Sequence, residues 1–206
     1  MIRFGIRSPR RKEGGSGCPD PVHVPGDRMQ DRVPLHVIHL DQDDPRKCTA
    51  RKMHSMGLVS LHESAAGSPR RGFLLDPRSR TILGPEDRSL IDLGGSIVVL
   101  DCSWKRIDES LDMVGGMTKL EGRILPFLLA ANPVSWGKVG RLTSAEAIGA
   151  SLAILGRWEE ASMVLDQFKF GPQFLELNEV PLDAYSAAES RYRIEELQYE
   201  FFEKSS

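Results

Sequence analysis

From residue 35 onward, short apolar runs alternate with polar, turn-forming clusters. Leu35-His-Val-Ile-His-Leu40, Phe73-Leu-Leu75 and Ser96-Ile-Val-Val-Leu100 are apolar runs of strand length, each followed by Asp or Pro, and they predict three β-strands. Between the last two, Gly84-Pro85-Glu86-Asp87 predicts the start of a short helix reaching about Leu93, with Pro at a permitted early position and acids in the first turn. Gly94-Gly95 ends that helix and turns the chain into the third strand.

After Gly137 the pattern becomes helical. Thr143 and Glu146 have the spacing of a capping box, opening a helix over Ala145 to Leu155 that Gly156 stops. Trp158 to about Phe168 places Ala161, Val164, Leu165 and Phe168 on one helical face, and Gly171-Pro172 breaks it. A third helix is expected from about Ser186 to Phe202, and no internal repeat is visible. The pattern therefore predicts an α/β body over residues 34–122 and an all-helical C-terminal domain over 123–206. Residues 1–33, rich in Arg, Gly and Pro without apolar periodicity, read as a flexible basic tail.

Charge changes this picture locally, not globally. Twenty-seven basic and twenty-nine acidic residues nearly cancel, so a nucleic-acid partner has to be argued from where the charges lie. Arg46, Lys47, Arg51 and Lys52 crowd into the loop expected after the first strand, a compact positive patch suited to phosphates. The three cysteines, Cys18, Cys48 and Cys102, form no CxxC pair and signal neither a disulfide framework nor a zinc ribbon, so no metal is expected. The five histidines show no metalloenzyme spacing and read as surface or packed residues. Apolar runs are too short to span a bilayer and no hydrophobic leader stands at the N-terminus, which predicts a cytoplasmic protein without a membrane partner.

Two segments read as ligand-holding. Leu100-Asp101-Cys102-Ser103-Trp104 ends a buried strand in polar residues, where α/β proteins hold ligands; Asp101 is a candidate base and Trp104 an apolar wall whose ring face favours positive charge. The competing reading makes Asp101 or Ser103 a helix cap and Trp104 a core residue. Arg123-Ile-Leu-Pro-Phe-Leu-Leu-Ala-Ala-Asn-Pro-Val-Ser-Trp-Gly137 is an apolar run bent by Pro126 and Pro133, whose irregular main chain suits a flat, neutral ligand. The absence of a Walker A sequence and of GxGxxG argues against nucleoside triphosphates and classical dinucleotides.

Taken in order, Asp44-Pro-Arg-Lys-Cys-Thr49, Leu75-Asp76-Pro77 with Gly84-Pro85-Glu86-Asp87, Leu100-Asp-Cys-Ser-Trp104, Arg123 to Pro133, Leu142-Thr-Ser-Ala-Glu-Ala147 and Phe168-Lys-Phe-Gly171 resemble the small-subunit ribosomal RNA aminocarboxypropyltransferases. The resemblance implies a SPOUT-like, trefoil-knotted sheet domain followed by a helical lobe, acting as a monomer in ribosome biogenesis. It implies S-adenosyl-L-methionine (SAM) as donor, with transfer of its 3-amino-3-carboxypropyl group to N3 of a uridine in small-subunit rRNA or a pre-ribosomal subunit. The uridine is N1-methylpseudouridine or pseudouridine, and methylthioadenosine leaves. Carried onto this chain, the donor is held by main chain at Leu100, Leu125 and Gly140 to Ser144, with Thr49 on the ribose and Trp104 and Ile107 around the methyl group. Trp136 is a candidate to stack on the adenine. RNA would lie across Arg46, Lys47, Arg51 and Lys52. The rival readings are a SPOUT-type RNA methyltransferase and a noncatalytic ribosome-assembly factor.

Overall fold

The computed structural model describes residues 32–40, 48–102 and 106–202. Residues 1–31 of the expected tail, the candidate RNA contacts Arg46 and Lys47, and Trp104 lie outside those residues; the expected tail runs too far, because Val33 is buried and its amide donates to Glu160 Oε2 at 2.9 Å. Five strands, β1 (Leu35–His39), β2 (Ser60–His62), β3 (Gly72–Leu75), β4 (Ser96–Asp101) and β5 (Glu121–Arg123), form one sheet in the order β2-β1-β4-β3-β5. Every neighbouring pair is parallel. Parallel neighbours cannot be joined by hairpins, so each connection crosses a face of the sheet and covers it.

Side-chain alternation then splits the strands between two cores. Val37, Phe73, Leu75, Ile97 and Val99 face one side, while Ile38, Leu74, Val98 and Leu100 face the other. The first side carries α1 (Thr49–Ser55), through Ala50 and Met53, and α4 (Ser144–Ile154), almost every residue of which is buried. The second carries α3 (Ile107–Gly115) through Leu111 and Val114. Between β3 and β4 a 3₁₀ turn, Pro85–Asp87, runs into the short α2 (Arg88–Asp92). The remaining helices are α5 (Trp158–Leu165), α6 (Gly171–Leu177), α7 (Glu179–Ala187) and α8 (Arg191–Phe201). Their apolar residues join the first core, and Arg32–Ser206 form one compact unit. The boundary expected between residues 122 and 123 falls inside β5.

Several local expectations are corrected. Residues 49–55 are helix, not loop: Cys48 caps α1 by accepting the Arg51 amide on its sulfur, 3.4 Å away, and Ala50 and Met53 give the helix a buried face. The helix opened at Trp158 ends at Leu165, short of the expected Phe168 and before Gly171-Pro172 is reached; that pair begins the next helix instead, since Pro is suited to a first turn and a Cβ at Gly171 would collide with the Leu165 carbonyl. The last helix starts five residues later than expected, at Arg191, where Ser190 caps it.

At the sheet edge, His36 on β1 and His62 on β2 stack with ring centroids 5.1 Å apart, and His36 Nδ1 lies 2.9 Å from His62 Nε2. Burial holds both below the usual histidine range, and for His36 the neighbouring ring adds repulsion. Between those folded values and the ordinary unfolded value near 6.5 the unfolded chain binds more protons, so stability is present above that window and is lost as pH falls through it. Thermal melts at pH 7.5 and 5.5 should show a smaller acid-induced drop for His62→Gln than for the unmodified chain; equal drops would remove the pair from the pH dependence.

Candidate active site

The connections after β1 and β4 leave the sheet on opposite sides, α1 on one and α3 on the other, although these strands are neighbours. Such a divergence opens a crevice at the carboxyl ends of the strands. The two strands end at His39 and Asp101, which are register partners. His39 Nδ1 lies 2.9 Å from Asp101 Oδ2, and Arg51 Nε donates to His39 Nε2 at 3.2 Å. Because Nε2 accepts, the ring proton belongs on Nδ1 and is donated to the carboxylate. Cys48 Sγ also donates to Oδ2, at 3.2 Å, and Ser144 Oγ donates to Oδ1 at 2.6 Å.

Asp101 thus joins β1, β4, the cap of α1 and the first residue of α4, and its side chain is 12% exposed. Burial, with the nearby Asp101 charge, pushes the Cys48 thiol up to about 11, which keeps it a neutral donor. The ligand-type atoms of His39, Cys48 and Asp101 lie within 4.8 Å of one another, the spacing of a metal-binding group.

The second candidate segment is held by a row of polar side chains from the helices. Asn178, between α6 and α7, accepts the Leu129 amide at 2.8 Å and donates to the Leu129 carbonyl at 2.9 Å. Tyr185 Oη donates to the Phe127 carbonyl, and Gln198 accepts the Phe127 amide. Glu146, fully buried, accepts five hydrogen bonds: Ala131 N and Asn132 N on Oε1, and Asn132 Nδ2, Thr143 N and Thr143 Oγ1 on Oε2. One carboxylate therefore closes both ends of the 132–143 loop, and the main-chain groups of a non-repetitive segment are satisfied without regular structure.

The Gly84-Pro85-Glu86-Asp87 motif is structural. Asp87 Oδ1 receives Arg123 Nε at 2.9 Å and Oδ2 receives Arg191 Nη2 at 3.0 Å, fixing the start of the bent segment against α8. Both Asp87 and Arg123 are buried, so each needs the other.

The structure gathers Asp101 and Ser144 in direct contact, with Leu100 next to Asp101 on β4. Thr49 opens α1 beside the Cys48 cap, Ile107 opens α3, and Leu125 is half-buried against the first core. Gly140 lies at φ +70° with its amide on the Leu128 carbonyl. Of the RNA candidates, Arg51 is engaged with His39. Lys52 donates to the Gln167 carbonyl at 3.1 Å and lies 4.8 Å from the Phe168 ring centre. Trp136 stands 56% exposed at the tip of the 132–140 loop. Sequence reading missed His39, Cys48 as cap and Asn178 as clamp; the available signal for His39 was its place at the end of a strand.

The fold and this site define an α/β protein with a polar side-chain cluster at the carboxyl ends of a parallel sheet. The family model for "Ribosome biogenesis protein, C-terminal" matches residues 73–202. Curated relatives named 16S rRNA aminocarboxypropyltransferase include one from Methanosarcina acetivorans, 43% identical over 81% of this chain and 92% of its own length. Another, from Halobacterium salinarum, is 40% identical over 82% and 96%. A solved structure, the SAM-dependent rRNA:acp-transferase Tsr3 from Vulcanisaeta distributa, matches with TM-score 0.71 and 37% identity, covering 80% of this chain and 89% of that one. The chain belongs to the 16S rRNA aminocarboxypropyltransferase family.

A second family model, "Possible Fer4-like domain in RNase L inhibitor", matches residues 33–65. A ferredoxin-type cluster is held by four thiolates, and this stretch contains one cysteine, Cys48, so the residues present do not fit such a cluster. Among the described residues no helix is long and apolar enough to cross a membrane.

Proposed function

We propose that this chain transfers the 3-amino-3-carboxypropyl group of SAM to N3 of N1-methylpseudouridine or pseudouridine in small-subunit rRNA. The observation that carries the reading is the Asp101 carboxylate, fixed at the carboxyl end of β4 by Ser144, His39 and Cys48 and facing a switch-point crevice. In the reaction, N3 attacks the methylene carbon next to the sulfonium. The carbon–sulfur bond breaks, its electrons neutralise the sulfur, methylthioadenosine leaves, and Asp101 takes the N3 proton.

Each site residue has a role in this reading. Main-chain groups of Leu100, Leu125 and Gly140 to Ser144 hold the donor, Thr49 meets its ribose, and Trp104 and Ile107 enclose the methyl group. With the methyl covered, the methylene carbon is the one presented to the nucleobase, so alignment decides which group moves. The rigid holding of 127–132 by Asn178, Tyr185, Gln198 and Glu146 supports a main-chain donor site, because a preformed pocket does not have to be ordered on binding. Arg46, Lys47, Arg51 and Lys52 take rRNA phosphates. For Arg51 and Lys52 this role is shared with their contacts to His39 and to the turn before α6.

A SPOUT-like knotted path and a helical lobe belong to the same reading. The pairing of Ile124 with the Thr81–Leu83 segment, followed by the bonds of Phe127 and Leu129 to Gln198 and Asn178 of the C-terminal helical region, is consistent with them. A cytoplasmic monomer is the corresponding state of the molecule.

Incubation with SAM and small-subunit rRNA should add one aminocarboxypropyl group to the RNA by mass and release methylthioadenosine. Release of S-adenosylhomocysteine would instead make the chain a methyltransferase. No change in melting temperature with SAM, and no product, would make it a noncatalytic RNA-binding factor.

A further inference from the structure

We propose that Trp136 is a stacking platform for an unpaired nucleobase of the acceptor RNA, flanked by Lys138 and Arg141 as phosphate contacts. This rests on the reading of the chain as an rRNA-modifying enzyme and assigns the Trp136 ring to the acceptor RNA in place of the donor's adenine.

The 132–140 loop is a built structure. Asn132 Oδ1 and its carbonyl both accept the Ser135 amide, Lys138 N donates to the Ser135 carbonyl, and Gly137 N donates to the Ala130 carbonyl. Ser135-Trp136-Gly137-Lys138 is therefore a tight turn, with Gly137 at φ +72°, a conformation that L side chains rarely adopt and that turns of this kind demand at their third position. Ala130 N and Gly140 N pair the two arms, and Glu146 locks the base.

A turn this well bonded ordinarily carries polar residues, yet it exposes Val134 (84%), Trp136 (56%) and Val139 (45%) together. Exposed apolar side chains on a rigid loop mark a contact surface. Charge says what contacts it: from Gly122 to Ala145 the chain has no Asp or Glu, while Lys138 and Arg141 both stand exposed beside the tip. An exposed aromatic face on an acid-free stretch of chain with two exposed cations suits a base with its phosphates, because every nucleobase offers a π-face and stacking needs no particular sequence. The loop is tied to the same region of the fold as Asp101: its base is held by Glu146 on α4, the helix whose first residue, Ser144, donates to Asp101.

The test uses the full chain and a labelled single-stranded small-subunit rRNA fragment containing the target uridine. Base–aromatic stacking of about 1–3 kcal/mol predicts that Trp136→Ala weakens RNA binding roughly 5- to 150-fold. Trp136→Phe, which keeps a π-face, should recover most of it, with SAM affinity unchanged in both. Lys138→Ala with Arg141→Ala should flatten the dependence of log affinity on log salt by roughly one to two, one phosphate contact each. Unaltered RNA affinity in Trp136→Ala would overturn the platform, leaving the patch to a protein partner. A matching loss of SAM affinity would also overturn it, by placing the ring on the donor. Failure of the unmodified chain to bind the fragment would overturn the rRNA reading itself, which separates the two failures.

Discussion

Glu146→Gln is expected to be among the most damaging single substitutions in this chain, lowering the melting temperature by roughly 6–20 °C and SAM affinity by more than tenfold. Glutamine has the same shape but only one acceptor oxygen. If its nitrogen takes the place of Oε1, it faces the Ala131 and Asn132 amides, two donors with nothing to accept them. In the place of Oε2 it faces Asn132 Nδ2, the Thr143 amide and the Thr143 hydroxyl, of which only the hydroxyl can turn round to accept. Either way at least two buried N–H groups lose their partner and the remaining bonds lose their charge, a cost of about 3–5 kcal/mol. For a chain of this size each kcal/mol moves the midpoint by roughly 2–4 °C. The functional loss follows from the same bonds, because 143–144 belong to the main chain proposed to hold the donor and Glu146 ties them to 131–132. Calorimetry and SAM titration check both parts, and a variant melting within about 2 °C of the parent would show that the loop does not depend on this carboxylate.

Half of that clamp was legible in the sequence. Thr143 and Glu146 stand three apart before an apolar run, and the capping box they predict is present. The bond to Asn132 joins residues fourteen apart through an irregular loop, and no local spacing encodes it. The same division runs through the fold. β3 and β4 announce themselves because they are buried on both faces and are therefore nearly continuous apolar runs, and β1 does so through Leu35, Val37 and Ile38 between its two histidines. β2 and β5, Ser-Leu-His and Glu-Gly-Arg, are three residues each and exist through their pairing with β1 and β3, so no periodicity can develop within them. Asp101 was visible as a polar residue ending a strand. Its partner His39 ended another, and what joined them was the strand order, which places β4 beside β1 although the register partners His39 and Asp101 are 62 residues apart in the chain. The helix at Thr49 was concealed by its cap, since cysteine is an unusual residue in that role and the basic residues around it read as solvated loop.

Asp101→Asn is the substitution that separates chemistry from architecture, and it is expected to slow single-turnover transfer by roughly 10²- to 10⁴-fold, the range of a lost general base. The fold should tolerate it. An asparagine oxygen at the Oδ2 position still accepts from His39 Nδ1 and from Cys48, and the amide nitrogen at the Oδ1 position can donate to Ser144, whose hydroxyl turns from donor to acceptor. Asp101→Ala is the contrasting case: it leaves the His39 and Cys48 donors without their acceptor and should cost about 1–3 kcal/mol of stability besides the rate. Removing the charge also weakens attraction to the sulfonium, and the neutral by-product isolates that effect. SAM affinity should fall somewhat in Asp101→Asn, while affinity for methylthioadenosine stays at the parent value. The slowed rate should climb again toward alkaline pH, where the uridine loses its N3 proton to solvent without help. An unchanged single-turnover rate in Asp101→Asn would remove this carboxylate from the chemistry and leave it as the tie between β1, β4, α1 and α4, with catalysis then resting on the sulfonium leaving group and on alignment.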